Sequence, residues 1–177
     1  AFTAMHRAKF RLDGLLELLQ TRWRTDDLKF AVDLAEELLA RFEDRERGGF
    51  WYTAFDQPTP LHRPKSFADD ATPAGNGVAA QALMRLGWLL GEARYLEAAT
   101  RTLEGGWDSL ARAPRAHATL LNALDEHLSP GEVVILRGCC GELGDWQRAL
   151  ARLYAPRRQV YAIPSSATDL PEALAAK

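Results

Sequence analysis

The sequence predicts a mainly α-helical chain, helical hairpins followed by a small βαβ unit, and three observations predict it. Apolar residues recur at three- and four-residue intervals through five successive stretches, the pattern of amphipathic helices. The apolar order Phe30, Ala31, Leu34, Leu38, Phe42 returns as Tyr95, Leu96, Ala99, Leu103, Trp107, an offset of 65 from residue 30 to residue 95. This reads as a repeat of helical hairpins, compatible with a toroid or a stacked solenoid. After Ser129-Pro130-Gly131 the pattern turns into continuous β-branched and aliphatic runs.

The first helix is expected over about residues 8–23, where Phe10, Leu12, Leu15, Leu16, Leu19 and Trp23 share the helical spacing. Thr25, Asp26 and Asp27 then cap and charge the start of a second, whose apolar stripe is Leu28, Ala31, Ala35, Leu38 and Phe42. The short connection makes the two antiparallel. Gly48-Gly49 ends the charged exit, and the aromatic run Phe50-Trp51-Tyr52-Thr53 reads as a short buried strand or extended segment. Thr72 and Pro73 read as N-cap and first residue of a third helix that runs to Leu90, with Gly91 just past its end. A fourth helix carries Tyr95, Leu96, Ala99 and Leu103, and a fifth covers about residues 115–127. Val133-Val134-Ile135-Leu136 and Val160-Tyr161-Ala162-Ile163 read as strands around a helix opened by Asp145, a βαβ unit too small to stand without the helices. The organisation expected is residues 1–128 helical, 129–164 βαβ and 165–177 a tail with at most one helical turn.

Lys+Arg of 22 against Asp+Glu of 24 leaves no basic field to attract phosphate backbones, so nucleic acid is not an expected partner. No apolar run approaches the roughly 18–20 residues that span a bilayer, and no signal-peptide pattern opens the chain, so it reads as soluble and cytoplasmic with no membrane partner. Adjacent Cys139 and Cys140 fit a reduced compartment. His6, His62, His117 and His127 lack zinc-ligand spacing, and residues 138–144 lack the Gly-x-Gly-x-x-Gly order of a dinucleotide turn, so neither metal nor cofactor is expected.

Charge concentrates between the aromatic run and the third helix, in Arg63-Pro64-Lys65-Ser66-Phe67-Ala68-Asp69-Asp70. Gly75 and Gly77 follow in the helix's first turn, where each glycine costs about 1 kcal/mol relative to alanine. Either a second backbone packs there or a ligand approaches the free N–H groups. The same stretch resembles the thioredoxin-domain-containing, spermatogenesis-associated protein family and its bacterial relatives. The residues that carry the resemblance are Arg63-Pro64-Lys65, Asp69, Ala71-x-Pro73-x-Gly75-Asn76, the upstream Gly48-Gly49-Phe50 with Asp56, and the downstream Val78-Ala79-Ala80 and Leu83-x-Arg85-Leu86. It spans about residues 8–128. Two departures are His6-Arg7 before Ala8, where the family carries an acidic-aromatic sequence, and Ala74, where serine is usual.

The resemblance implies a large protein with an N-terminal thioredoxin-like domain and a six-hairpin α/α toroid of the kind found in glycosidases and sugar epimerases. This chain would supply its C-terminal part, the hairpins of an incomplete α/α toroid. The partners implied are a carbohydrate ligand, and either the upstream hairpins and thioredoxin-like domain or a second copy covering the cut apolar faces.

Asp69, in the loop before the glycine-containing turn, is the leading candidate for an acid, base or sugar-hydroxyl acceptor, with Asp56 as a second carboxylate. Arg63, Lys65 and Asn76 are candidate substrate-binding groups, and Trp51 and Tyr52 candidate stacking platforms. His62, beside Arg63, is a further candidate catalytic group. Each has a plainer alternative: salt bridges and caps that hold a long loop, an asparagine bonding local backbone, aromatics filling the core between hairpins, a lone exposed loop histidine. The function expected is a carbohydrate-active-like fragment of unassigned reaction with sugar at the 63–76 loop. The competing reading is a non-catalytic helical interaction module; a third is a redox accessory through Cys139.

Overall fold

The computed structural model describes residues 4–58 and 62–175; the side chains of Ala4, His6 and Cys140 lie outside that description. α1 (Ala4–Thr21) and α2 (Thr25–Arg41) form one hairpin, because the three-residue connection leaves α2 no course but back along α1. α1 buries Met5, Ala8, Leu12, Leu16 and Leu19, and α2 buries Leu28, Ala31, Ala35 and Leu38. α3 (Gly75–Leu90) packs against α1, α4 (Ala93–Arg112) and α5 (Ala118–Leu128), the last preceded by a 3-10 turn at Pro114–Ala116. Its sequence is apolar nearly all round, which suits a helix enclosed on several sides. Arg85 braces it laterally: Nε lies 3.0 Å from Glu126 of α5, and Nη1 lies 2.9 Å from Glu17 and 3.5 Å from Asp13 of α1.

The C-terminal unit is β1 (Val133–Gly138), α6 (Cys140–Ala151) and β2 (Gln159–Pro164), the strands parallel from Val133 opposite Gln159 to Gly138 opposite Pro164. Two strands bury too little alone, and β2 seats on α1. Tyr161 is fully buried with its ring edge-on to Trp23, centroids 6.2 Å apart. Gln20 accepts from Gln147 Nε2 at 3.0 Å and from the Val160 N–H at 3.3 Å. α7 (Glu172–Ala175) anchors the tail through buried Leu174. No helix among the described residues is long and apolar enough to cross a membrane.

Three expected helix starts require correction. α3 begins at Gly75, and neither Thr72 nor Pro73 starts it; the cap position is Ala74, and the acceptor comes from Asp69. α2 starts at Thr25 itself, whose hydroxyl donates to the Thr168 carbonyl at 3.2 Å, while Asp26 and Asp27 lie in the first turn as expected. α6 starts at Cys140, so Asp145 sits inside it. Of the two readings of the aromatic run the structure has the extended segment, buried at Phe50 and held by a single antiparallel bridge of Phe50 with Glu43. The hairpin repeat is also one residue out of register. Buried Ala31, Leu34, Ala35, Leu38, Leu39 and Phe42 correspond to buried Tyr95, Ala98, Ala99, Thr102, Leu103 and Gly106, leaving Phe30 and Trp107 exposed. Side-chain size pairs Phe30 with Tyr95, whereas burial follows backbone position and pairs Ala31 with Tyr95.

Candidate functional site

The loop between α2 and α3 is fixed first at its glycine turn. Gly48 has φ +71°, and a Cβ there would stand 1.9 Å from the Arg101 carbonyl oxygen, so the turn lies directly on α4. The chain then passes Phe50 back under the start of α3, where fully buried Asn76 holds it. Asn76 Oδ1 accepts the Phe50 N–H at 2.6 Å, and its Nδ2 donates to the carbonyls of Phe50 at 3.3 Å and Ser66 at 2.8 Å. One amide therefore joins three segments.

Asp69 plays the same part on the other side. Its Oδ1 accepts the Ala74 N–H at 2.7 Å and its Oδ2 the Thr119 N–H at 2.9 Å, so one carboxylate caps the N-termini of both α3 and α5. The Asp69 N–H donates to Ala116 O at 2.7 Å. Partial burial pushes this carboxyl up, but the bonds from the Thr119 side chain and backbone and from Ala74, with His117 beside it, hold it below the ordinary carboxylate range. Such a group is an ionised acceptor at neutral pH and a poor proton donor.

Lys65 reaches Asp44 Oδ2 at 2.6 Å and Gly48 O at 2.7 Å, with its ammonium 4.6 Å from the Trp51 ring centroid. Burial raises the Asp44 carboxyl, and the bonds from Lys65 and the Arg47 N–H more than reverse it. Arg63 donates to Phe55 O at 2.7 Å and lies over the Phe55 ring at 4.9 Å. Asp56 has both oxygens 3.0 Å from Arg41 Nη2 on the surface. Tyr52 packs partly buried against the core. The structure thus gathers Lys65, Asp69 and Asn76 into one brace, whereas Asp56 belongs to an ion pair with α2.

Beside the brace is a cleft of about 820 Å³ lined by Trp51, Phe55, His62 and Arg63 and by the acidic residues Glu43, Asp44 and Glu46. Asp56, Lys65, Asp69, Asn76 and Tyr52 lie outside its lining. Among the described residues no cluster of three or more His, Cys, Asp or Glu is placed to hold a metal. Cys139 is an exposed free thiol, its Sγ 3.2 Å from Glu142; the Cys140 side chain lies outside the description.

The two first-turn glycines serve close approach. A Cβ on Gly77 would lie 2.8–2.9 Å from Thr119 and Leu120 backbone atoms, and one on Gly75 would lie 1.7 Å from Lys9 Nζ. Gly77→Ala gains about 1 kcal/mol of helix propensity but forces α3 from α5, an overpacking cost of about 1–3 kcal/mol. A net loss of about 1 kcal/mol is expected, read as a lower urea midpoint.

Lys9 and Glu43 are the site-adjacent residues that pattern reading missed. Lys9 is fully buried, and it stands at a core position between Met5 and Leu12 on α1, the one signal that marked it. Glu43 is buried under Arg101 of α4, with Arg101 Nε 3.1 Å from its Oε1.

What fold and site define together is a mainly helical protein with a small parallel two-stranded sheet and a braced loop beside an aromatic and acidic cleft. Comparison with protein-family models gives no match, and comparison with curated proteins gives none.

Proposed function

We propose that this chain is the C-terminal part of a carbohydrate-active-like α/α toroid protein of the thioredoxin-domain-containing, spermatogenesis-associated family. Asp69, Lys65 and Asn76 brace its sugar-facing end, and the cleft at Trp51 takes the sugar. The observation that carries this reading is the composition of the cleft. The half-buried Trp51 ring beside exposed Glu46, with Phe55 and His62 on the same cleft, offers a pyranose a C–H stacking face and a hydroxyl acceptor together. Asp69 and Asn76 have their polar atoms on backbone partners, which leaves them the role of support. Asp56 supports α2 and takes no part in reaction.

The test is thermal unfolding with a panel of mono- and disaccharides, for the wild-type chain and for Trp51→Ala. A ligand at about 100 times its dissociation constant adds roughly 2.7 kcal/mol, so binding is visible. The expected result is a rise specific to one sugar class and lost in Trp51→Ala. A cooperative transition indifferent to every sugar overturns the reading in favour of the helical interaction module. That second reading rests on the large apolar side chains left exposed on the hairpins, Phe10, Phe30 and Trp107.

A further inference from the structure

The N-terminus of α3 carries an unmatched set of donors. Among the described residues, the N–H groups of Gly75, Asn76 and Gly77 have no acceptor in the chain, as expected of a first helical turn, since Asp69 reaches only the Ala74 N–H beside them. Against the same turn lies Lys9, at 0% exposure, its Nζ with no hydrogen-bond partner and no ion pair among the described residues. The amine fills the space that the absent Gly75 side chain leaves, 1.7 Å from where a Cβ would stand. The Phe10 ring, centroid 5.0 Å away, is the nearest compensation.

A buried ammonium at the positive end of a helix is opposed twice, by desolvation and by the dipole. Both oppositions are removed by one negative group, which would also accept from the free N–H groups. Asp69 is not that group, because its oxygens are committed to Ala74 and Thr119. The residues just before the turn, Ala71, Thr72 and Pro73, are exposed.

We propose that Lys9 and the first turn of α3 form a binding site for a small oxyanion, the phosphate or carboxylate group of a low-molecular-weight ligand. The site is separate from the Trp51 cleft and does not depend on the sugar reading. It explains why a lysine occupies a core position of α1 opposite a glycine.

The probes are inorganic phosphate and acetate, each titrated into the full chain against sodium chloride at matched ionic strength, with Tm as the readout. Wild type is expected to show a saturable rise with one of the two anions, absent with chloride and lost in Lys9→Met; the anion that acts identifies the ligand group as phosphate or carboxylate. A second readout is NMR of the Lys9 side chain. The oxyanion should move its titration from about 8 back toward the ordinary lysine value of 10.5, a change that general salt stabilisation would not produce. No rise with either anion, an equal rise with chloride, or an equal rise in Lys9→Met overturns the proposal.

Discussion

Replacing Lys9 with methionine is expected to stabilise the chain by about 2–3 kcal/mol at pH 7 in buffer free of oxyanions. Burial lowers the Lys9 amine from 10.5 to about 8, whereas an unfolded chain leaves it near 10.5. Below about pH 8 both states are charged, and the full cost of a buried ammonium weighs on the folded state. Between about 8 and 10.5 the unfolded state binds more protons than the folded one, so this group's contribution to stability rises with pH. The advantage of methionine should therefore be largest at pH 7 and shrink as pH approaches 10. Each pKa unit is worth about 1.36 kcal/mol, and the small void left at the Nζ position offsets part of the gain. Urea unfolding of both chains at pH 7 and pH 9.5 checks it; a methionine variant less stable than wild type at both would contradict a buried, unmatched amine.

Asn76→Ala is expected to have the opposite sign and a larger size. It strips partners from the Phe50 N–H, the Phe50 carbonyl and the Ser66 carbonyl, and a buried backbone group left unpaired costs about 1–3 kcal/mol. The gain in helix propensity, about 0.6 kcal/mol, is too small to compensate. A loss of about 3–5 kcal/mol follows, a large share of the roughly 5–15 kcal/mol by which domains are stable, and a fall in Tm on the order of 10 °C. The loop should also become an early site of proteolysis, because Asn76 is what ties residues 50 and 66 to α3. Limited proteolysis and calorimetry of the variant measure both effects.

The helices were legible because α1, α2, α4 and α5 each bury one stripe, and a single stripe is a local property that spacing records. The βαβ unit was legible because its strands are continuous apolar runs. Helix starts were less so. Thr72-Pro73 is a sound local start signal, yet the acceptor that fixes α3 is Asp69, a carboxylate five residues before Ala74 that also caps α5 fifty residues on. No local rule sees that partner. The brace was legible only as an alternative, caps and salt bridges that hold a long loop, because the bonds of Asn76 go to residues 26 and 10 positions away and spacing does not name them. Lys9 is a charge on an apolar stripe of α1, but the Gly75 opposite it belongs to another helix, a tertiary contact that spacing does not record.

Thermal unfolding of Asp69→Asn beside the wild-type chain, each alone and with the sugar that stabilises wild type, decides between a brace and a reacting or binding group. As a brace, Asp69 caps two helices at once, so the asparagine variant should melt lower with and without sugar, by about 2 kcal/mol, and keep the full sugar-dependent increment. An unchanged Tm without sugar, together with loss of the sugar increment, would contradict the brace and return Asp69 to the ligand.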